Sequence, residues 1–127
     1  MSERILLVED EHNVRSFVHE VLSMFGYTVL EVRTAEEAMF LSNGYQQPIQ
    51  LLITDVILPL GRGTRLAEDL RQKRPDMKVL LMSGYIDQSR TDDTELTRQL
   101  PFLQKPFTSE VLLAKVQKVL KPAPHAS

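Results

Sequence analysis

Acidic side chains set the chemistry open to this chain. Glu9, Asp10 and Glu11 follow directly on the apolar run Ile5-Leu6-Leu7-Val8, and Asp55 closes a second such run, Leu51-Leu52-Ile53. Ser83 follows a third run, Val79-Leu80-Leu81-Met82, and Lys105 follows the short Phe102-Leu103. If these positions converge, several carboxylates, a hydroxyl and an ammonium come within mutual reach. Carboxylates at close range repel one another, and a proton or a cation must relieve them. Oxygen donors without His or Cys suit a hard cation, and few carboxylates completed by water suit Mg2+ better than Ca2+. Such an ion commonly serves a phosphate. Lys105 would bring positive charge to the same phosphate from the other side, and Ser83 could donate to a phosphoryl oxygen. Asp55 then reads as the nucleophile. With an ordinary pKa of about 3.9 it is ionised at neutral pH and needs no general base. Catalysis reduces to positioning and charge neutralisation, with Glu9 and Asp10 holding the metal directly or through water.

Convergence requires elements that place these groups at one edge. The apolar runs read as strands covered on both faces. Between them lie amphipathic stretches. Val14, Phe17, Val18, Val21, Leu22 and Phe25 recur at helical spacing, with Gly26 as the C-terminal cap. Thr28 to Val32 alternates as a weaker strand. Thr34-Ala-Glu-Glu37 is a capping box opening a helix that ends near Gly44. Pro59 and Gly63 mark a loop, and Leu66, Ala67 and Leu70 share a helix that stops before Pro75. Residues 87–95 hold no large apolar side chain, so a fourth helix there has little anchorage before Leu96 and Leu100. Thr108 caps a last, fifth helix with Leu112, Val116, Val119 and Leu120 on one face.

Strands alternating with helices imply right-handed crossovers and a parallel sheet. Five such units fit a flavodoxin-like doubly wound α/β fold, strand order 2-1-3-4-5, with ligands at the carboxyl ends of the strands. Residues 1–121 form the one domain expected, and 122–127, with Pro122 and Pro124, a tail or linker.

Composition narrows the function. A net charge of -2 disfavours nucleic-acid binding driven by bulk positive charge. The absence of cysteine removes disulfides, thiolate metal sites and thiol catalysis. No apolar run approaches the roughly 20 residues of a membrane span, and no signal peptide precedes the first strand, so a cytoplasmic location without membrane contact is expected.

Val8-Glu9-Asp10-Glu11, Asp55-x-x-x-Pro59-x-x-x-Gly63, Met82-Ser83-Gly84 and Lys105-Pro106-Phe107 together resemble the receiver domains of response regulators, over residues 4 to 121. The resemblance implies phosphorylation of Asp55 by a phosphohistidine donor, on a histidine kinase or a His-phosphotransfer domain. It implies Mg2+ held by Asp10, Asp55 and the backbone carbonyl of Ile57, with Glu9 acting through water. Ser83 and Lys105 would contact the phosphoryl group, and Lys105-Pro106 would be a cis peptide. Phe102 stands at the family's switch aromatic. Phosphorylation would draw the Ser83 hydroxyl inward and open space for Phe102, shifting residues 84–100. The fourth helix, fifth strand and fifth helix would form the output surface and a homodimer contact. Leu81-Met-Ser-Gly-Tyr85 and Phe102-Leu-Gln-Lys-Pro-Phe107 look most like receivers attached to hybrid sensor histidine kinases. Such a module turns over no separate substrate.

Each residue also has an ordinary reading. Asp55 alone is a strand-end turn residue, Glu9 to Glu11 a helix start that complements the dipole, and Lys105 a surface lysine. His12 and His19 read as solvent-facing. Arg71, Lys73 and Arg74 read as a solvated helix end, and Met77 and Met82 as packing residues. Two other functions compete. One is a pseudo-receiver that is never phosphorylated, against which Asp10, Asp55, Ser83 and Lys105 all stand. The other is a Mg2+-dependent phosphatase with an aspartyl-phosphate intermediate, which usually places a second acid where this chain has Ile57.

Overall fold

The computed structural model describes residues 3–84 and 100–121. Its main sheet has five parallel strands in the order β2-β1-β3-β6-β7, formed by Thr28–Val32, Arg4–Val8, Leu51–Asp55, Lys78–Ser83 and Phe102–Gln104. Counting the strands of this sheet alone, that is the 2-1-3-4-5 order of the flavodoxin-like fold. A small antiparallel ribbon, β4 (Ile57–Leu58) and β5 (Gly61–Arg62), stands apart from it. Four helices are described: α1 (His12–Met24), α2 (Ala35–Gly44), α3 (Gly63–Lys73) and α4 (Ser109–Leu120), the last being the fifth helix of the sequence reading. The polar fourth helix expected between Gly84 and Leu100, with Tyr85 and Leu96, lies outside the described residues, as does the tail from Pro122.

Alternation along the strands divides the core into two layers. Leu6, Val8, Leu52, Val79 and Leu81 face Ala38 of α2 and Leu66, Ala67 and Leu70 of α3. Ile5, Leu7, Leu51, Ile53, Leu80 and Met82 face Val18 and Leu22 of α1 and Leu112 and Val116 of α4. Every residue of β3 is buried, so the central strand that ends in Asp55 is gripped from both sides. Each large side chain buried this way contributes about 1.5–3 kcal/mol relative to exposure. Both methionines singled out in the sequence pack in these layers, Met77 with the first and Met82 with the second.

Local signals act where the sequence placed them. Thr34 accepts from the Glu37 amide at 3.1 Å, and Thr108 from the Val111 amide at 3.1 Å. Glu37 returns its carboxylate to the Arg33 amide at 2.8 Å, one residue before the cap. Gly26 adopts φ 96°, the left-handed conformation that ends a helix. Two aromatics of the α1 stripe depart from expectation. Phe17 and Phe25 are exposed, while Val18 and Leu22 carry the burial. Phe25 is the C-cap, past the last turn that packs, and Phe17 leans on Phe107 at a centroid distance of 6.2 Å.

Arg74 is not the solvated helix end expected of it. Its guanidinium donates to the Ser42 hydroxyl at 2.8 Å and to the carbonyls of Ser42, Tyr45 and Gln47 at 3.0, 2.8 and 2.9 Å. These carbonyls lie at and just beyond the end of α2, where helical partners run out. Lys73 adds a bond to Asn43 at 2.9 Å. The basic end of α3 therefore closes α2.

Gly63 opens α3 and is not loop. A β-carbon on it would fall inside contact distance of the Asp55 carbonyl oxygen, which is backbone and cannot swing aside. The Gly63 amide also donates to the Val56 carbonyl at 2.7 Å. Only glycine lets the start of α3 lie against the end of β3.

Two predictions follow from these contacts, both measured by urea denaturation. Arg74→Ala should lower stability by about 2–3 kcal/mol, because several carbonyls lose a charged donor. Arg74→Lys should recover less than half of this, since an ammonium lacks the planar fork; a loss below about 0.5 kcal/mol for the alanine variant would return Arg74 to solvent. Gly63→Ala should cost about 2–4 kcal/mol through a forced backbone shift, and an unchanged midpoint would contradict the close approach.

Candidate functional site at the strand ends

Strand register decides which side chains meet. Val8 pairs with Thr54, so Glu9 stands level with Asp55. Asp55 pairs with Met82, and Ser83 is the next residue. Ser83 pairs with Gln104, and Lys105 follows. Backbone bonds continue past the strands: the Val56 amide donates to the Met82 carbonyl at 2.9 Å and the Lys105 amide to the Ser83 carbonyl at 2.8 Å. Residues separated by up to 96 positions thereby reach one edge.

Three of them converge closely. Carboxylate oxygens of Glu9, Asp10 and Asp55 lie within 4.8 Å of one another. Glu9 is 1% exposed and Asp55 6%, whereas Asp10 faces solvent. Lys105 joins the two buried acids, its Nζ donating to Asp55 Oδ1 at 2.7 Å and to Glu9 Oε1 at 2.9 Å. The second Glu9 oxygen, Oε2, accepts from the Glu11 amide at 2.9 Å. The Lys105–Pro106 peptide bond is cis.

Burial controls the protonation of this group. It pushes the Asp55 carboxyl up to about 7; the Lys105 ammonium pulls it down, and the neighbouring Glu9 carboxylate adds to the rise. Burial would also lower the Lys105 ammonium, but its bonds to Asp55 and Glu9 outweigh this and hold it above its ordinary range. An ammonium shared between two acids leaves excess negative charge, before Asp10 is counted. Hard oxygen donors around such an excess fit a divalent cation such as Mg2+.

The remaining sequence candidates sit around this cluster. Ser83 ends β6 half-buried at the same edge. Ile57 opens the β4–β5 ribbon two residues beyond Asp55, with its side chain 69% exposed. At the tip of that ribbon Leu60 takes φ 64°, a conformation costly for a side chain of its size. Phe102 is on the edge strand, 39% exposed and therefore turned outward. His12 and His19 are not ligands to the cluster: His12 Nδ1 contacts Arg15 Nη2 at 3.3 Å, and His19 Nδ1 contacts Glu31 at 2.7 Å. Sequence reasoning did not single out Arg15. Its guanidinium donates to the Glu9 and Asp10 carbonyls at 3.0 and 3.4 Å. One arginine in an amphipathic helix gives no signal of this, because the contacts depend on the turn into α1.

The molecule has relatives in sequence and in shape, of which some are far longer. Sensor kinase CckA of Brucella abortus (strain 2308) is 32% identical over 94% of this chain, which spans 13% of that protein. Response regulator receiver protein CpdR of the same strain is 30% identical over 93% of the chain and 97% of its own length. The solved receiver domain from hybrid histidine kinase CckA superposes with a TM-score of 0.78 at 36% identity, covering 93% of this chain and 99% of that one. Residues 5–117 match the response regulator receiver domain as a family. With its sheet order and an acidic cluster bridged by one lysine at the strand ends, this chain belongs to the response regulator receiver domains.

Proposed function

We propose that the chain accepts a phosphoryl group on Asp55 from a phosphohistidine, in a Mg2+-dependent phosphorelay in the cytoplasm. The observation that carries this reading is the ammonium of Lys105, 2.7 Å from Asp55 within a cluster of acids. An Asp55 oxygen attacks phosphorus, and the phosphorus–nitrogen bond to the donor imidazole breaks. The imidazole leaves with that bonding pair and takes up a proton, and Asp55 becomes an acyl phosphate. Asp10, Asp55 and the Ile57 carbonyl would hold Mg2+. Glu9 would act through water, in keeping with two oxygens already engaged by Lys105 and the Glu11 amide. Bound there, the ion supplies positive charge to the phosphoryl oxygens. Lys105 neutralises the group from its other side, and Ser83 donates a hydrogen bond to it.

The donor is a histidine kinase or a His-phosphotransfer domain. The likeness to both a sensor kinase and the receiver protein CpdR supports a phosphorelay role. The 36% identity to a hybrid-kinase receiver favours origin in a hybrid histidine kinase. The outward Phe102 is the resting position of a switch that turns inward once Ser83 engages the phosphoryl group, and the surface from residue 84 through α4 then carries output or a homodimer contact. A pseudo-receiver would have no use for a lysine bridging two buried acids. A phosphatase would want an acid where Ile57 stands.

Acetyl phosphate with Mg2+ should give one hydroxylamine-labile phosphoryl adduct per chain by mass spectrometry. Asp55→Asn should abolish it, and Lys105→Ala should slow its formation by about 10–1,000-fold, the cost of losing a preorganised charge. An adduct at full yield in Asp55→Asn would overturn the assignment. The raised Asp55 pKa adds a pH dependence. A carboxyl raised by folding contributes stability that is complete below its unfolded pKa of about 3.9 and is lost as pH rises through the folded value. Asp55→Asn has no proton to lose. Without Mg2+, its stability advantage over the wild type should widen by about 1–3 kcal/mol between pH 4.5 and pH 8; a gap that narrows on raising the pH would contradict the buried, repelled carboxyl.

A further inference from the structure

The loop that carries Glu9 and Asp10 leaves the sheet after Val8 and must turn within three residues into α1. Two observations show what holds it. The Glu9 amide donates to the Val32 carbonyl at 3.1 Å, tying the loop to the end of β2. The Arg15 guanidinium, 11% exposed, donates from one nitrogen to the carbonyls of Glu9 and Asp10. Its other groups are committed as well. Nη2 meets His12 Nδ1 at 3.3 Å, and Nε faces Glu31 Oε2 on β2 at 3.6 Å. The opposite Glu31 oxygen meets His19 Nδ1 at 2.7 Å. A chain of polar contacts thus runs from the outer strand, across α1, to the backbone of the two acids.

Resting on the function proposed above, we infer that Arg15, held by Glu31, is a positioning residue that fixes the backbone of Glu9 and Asp10 so that their carboxylates meet Asp55 in cation-binding geometry. Planar guanidinium donors suit this, because they can grip adjacent carbonyls while a carboxylate holds the plane from behind. Positioning and simple charge make opposite demands. Arg15 places positive charge behind an acidic cluster, so electrostatics alone predicts that its removal tightens a divalent cation. Loss of positioning predicts that its removal weakens one.

The test titrates MgCl2 by calorimetry into the wild-type chain and into Arg15→Ala, Arg15→Lys, Glu31→Gln and Arg15→Ala/Glu31→Gln, with thermal denaturation of each without metal. Arg15→Ala should weaken Mg2+ about five- to tenfold. Arg15→Lys, which keeps the charge and loses the fork, should weaken it about two- to fivefold, and Glu31→Gln about twofold. The double variant should be no weaker than Arg15→Ala alone, because Glu31 acts through Arg15. If Arg15→Ala does not fold, the lysine and glutamine variants decide by the same shifts. Unchanged or tighter Mg2+ binding in the folded variants, with only the melting temperature lowered, would overturn the inference and leave Arg15 a structural residue. A wild-type chain that binds Mg2+ but takes no phosphoryl group from acetyl phosphate would overturn the proposed function, while the Mg2+ titrations still decide on Arg15. A wild-type chain that binds no Mg2+ would overturn both.

Discussion

One ammonium shared by two buried carboxylates is the contact around which this molecule is arranged. Glu9 and Asp55 are almost wholly removed from solvent, and Lys105 lies within hydrogen-bond distance of both. Like charges so placed could not both be ionised without a neighbouring cation. The cation comes from the far edge of the sheet, and the acids from its middle. The pairing therefore requires β1, β3, β6 and β7 to keep register within a single residue. A slip of one position would also turn each strand's side chains to the wrong face. Burial of the strands thus fixes the register, and the register assembles the site.

The two ends of the sheet divide the work. Helices run antiparallel to the strands, so the last turns of α2 and α3 lie at the end remote from the acids. There Arg74 satisfies carbonyls that a helix end leaves open. The acidic end is different. Charge crowds at Asp55, and the segment that follows it holds Leu60 at positive φ and Gly63, a glycine forced by backbone approach. Strain of this kind persists only where the surroundings over-determine it. The fully buried β3 supplies that rigidity directly beneath the Asp55 carboxylate.

How far the sequence was legible follows from the range of each interaction. Strands, caps and helix faces depend on neighbours a few residues away, so Thr34, Thr108 and Gly26 could be placed by spacing alone. Sheet order followed from the alternation of elements and a fixed crossover hand. The acids, Ser83 and Lys105 could be brought to one edge because each ends a strand. What spacing could not reveal were contacts between groups far apart in sequence with no periodic signature. Arg74 looked like a charge at a helix end, yet it reaches back 27 to 32 residues to close another helix. Gly63 read as a loop marker, although its need is set by the Asp55 carbonyl. Phe17 fell on an apolar stripe and remained exposed, its ring set against Phe107 while Val18 and Leu22 take the buried positions.

Glu9 shows how a single methylene changes the resting state. A shorter side chain at this position would end nearer its own backbone. Glutamate reaches Lys105 with one oxygen while the other accepts the Glu11 amide, so it is fixed at both ends. The ammonium is then already partnered before any phosphoryl group arrives. A phosphoryl group on Asp55 would bring further negative charge and several acceptor oxygens to the same ammonium. An ammonium has three donors, and Glu9 and Asp55 hold two of them, so a phosphoryl group that takes more than one would have to displace an acid. The contact that relieves the two buried acids would then be redistributed as the phosphoryl group engages Lys105. Redistribution there would reach the Lys105–Phe107 turn, which joins β7 to α4.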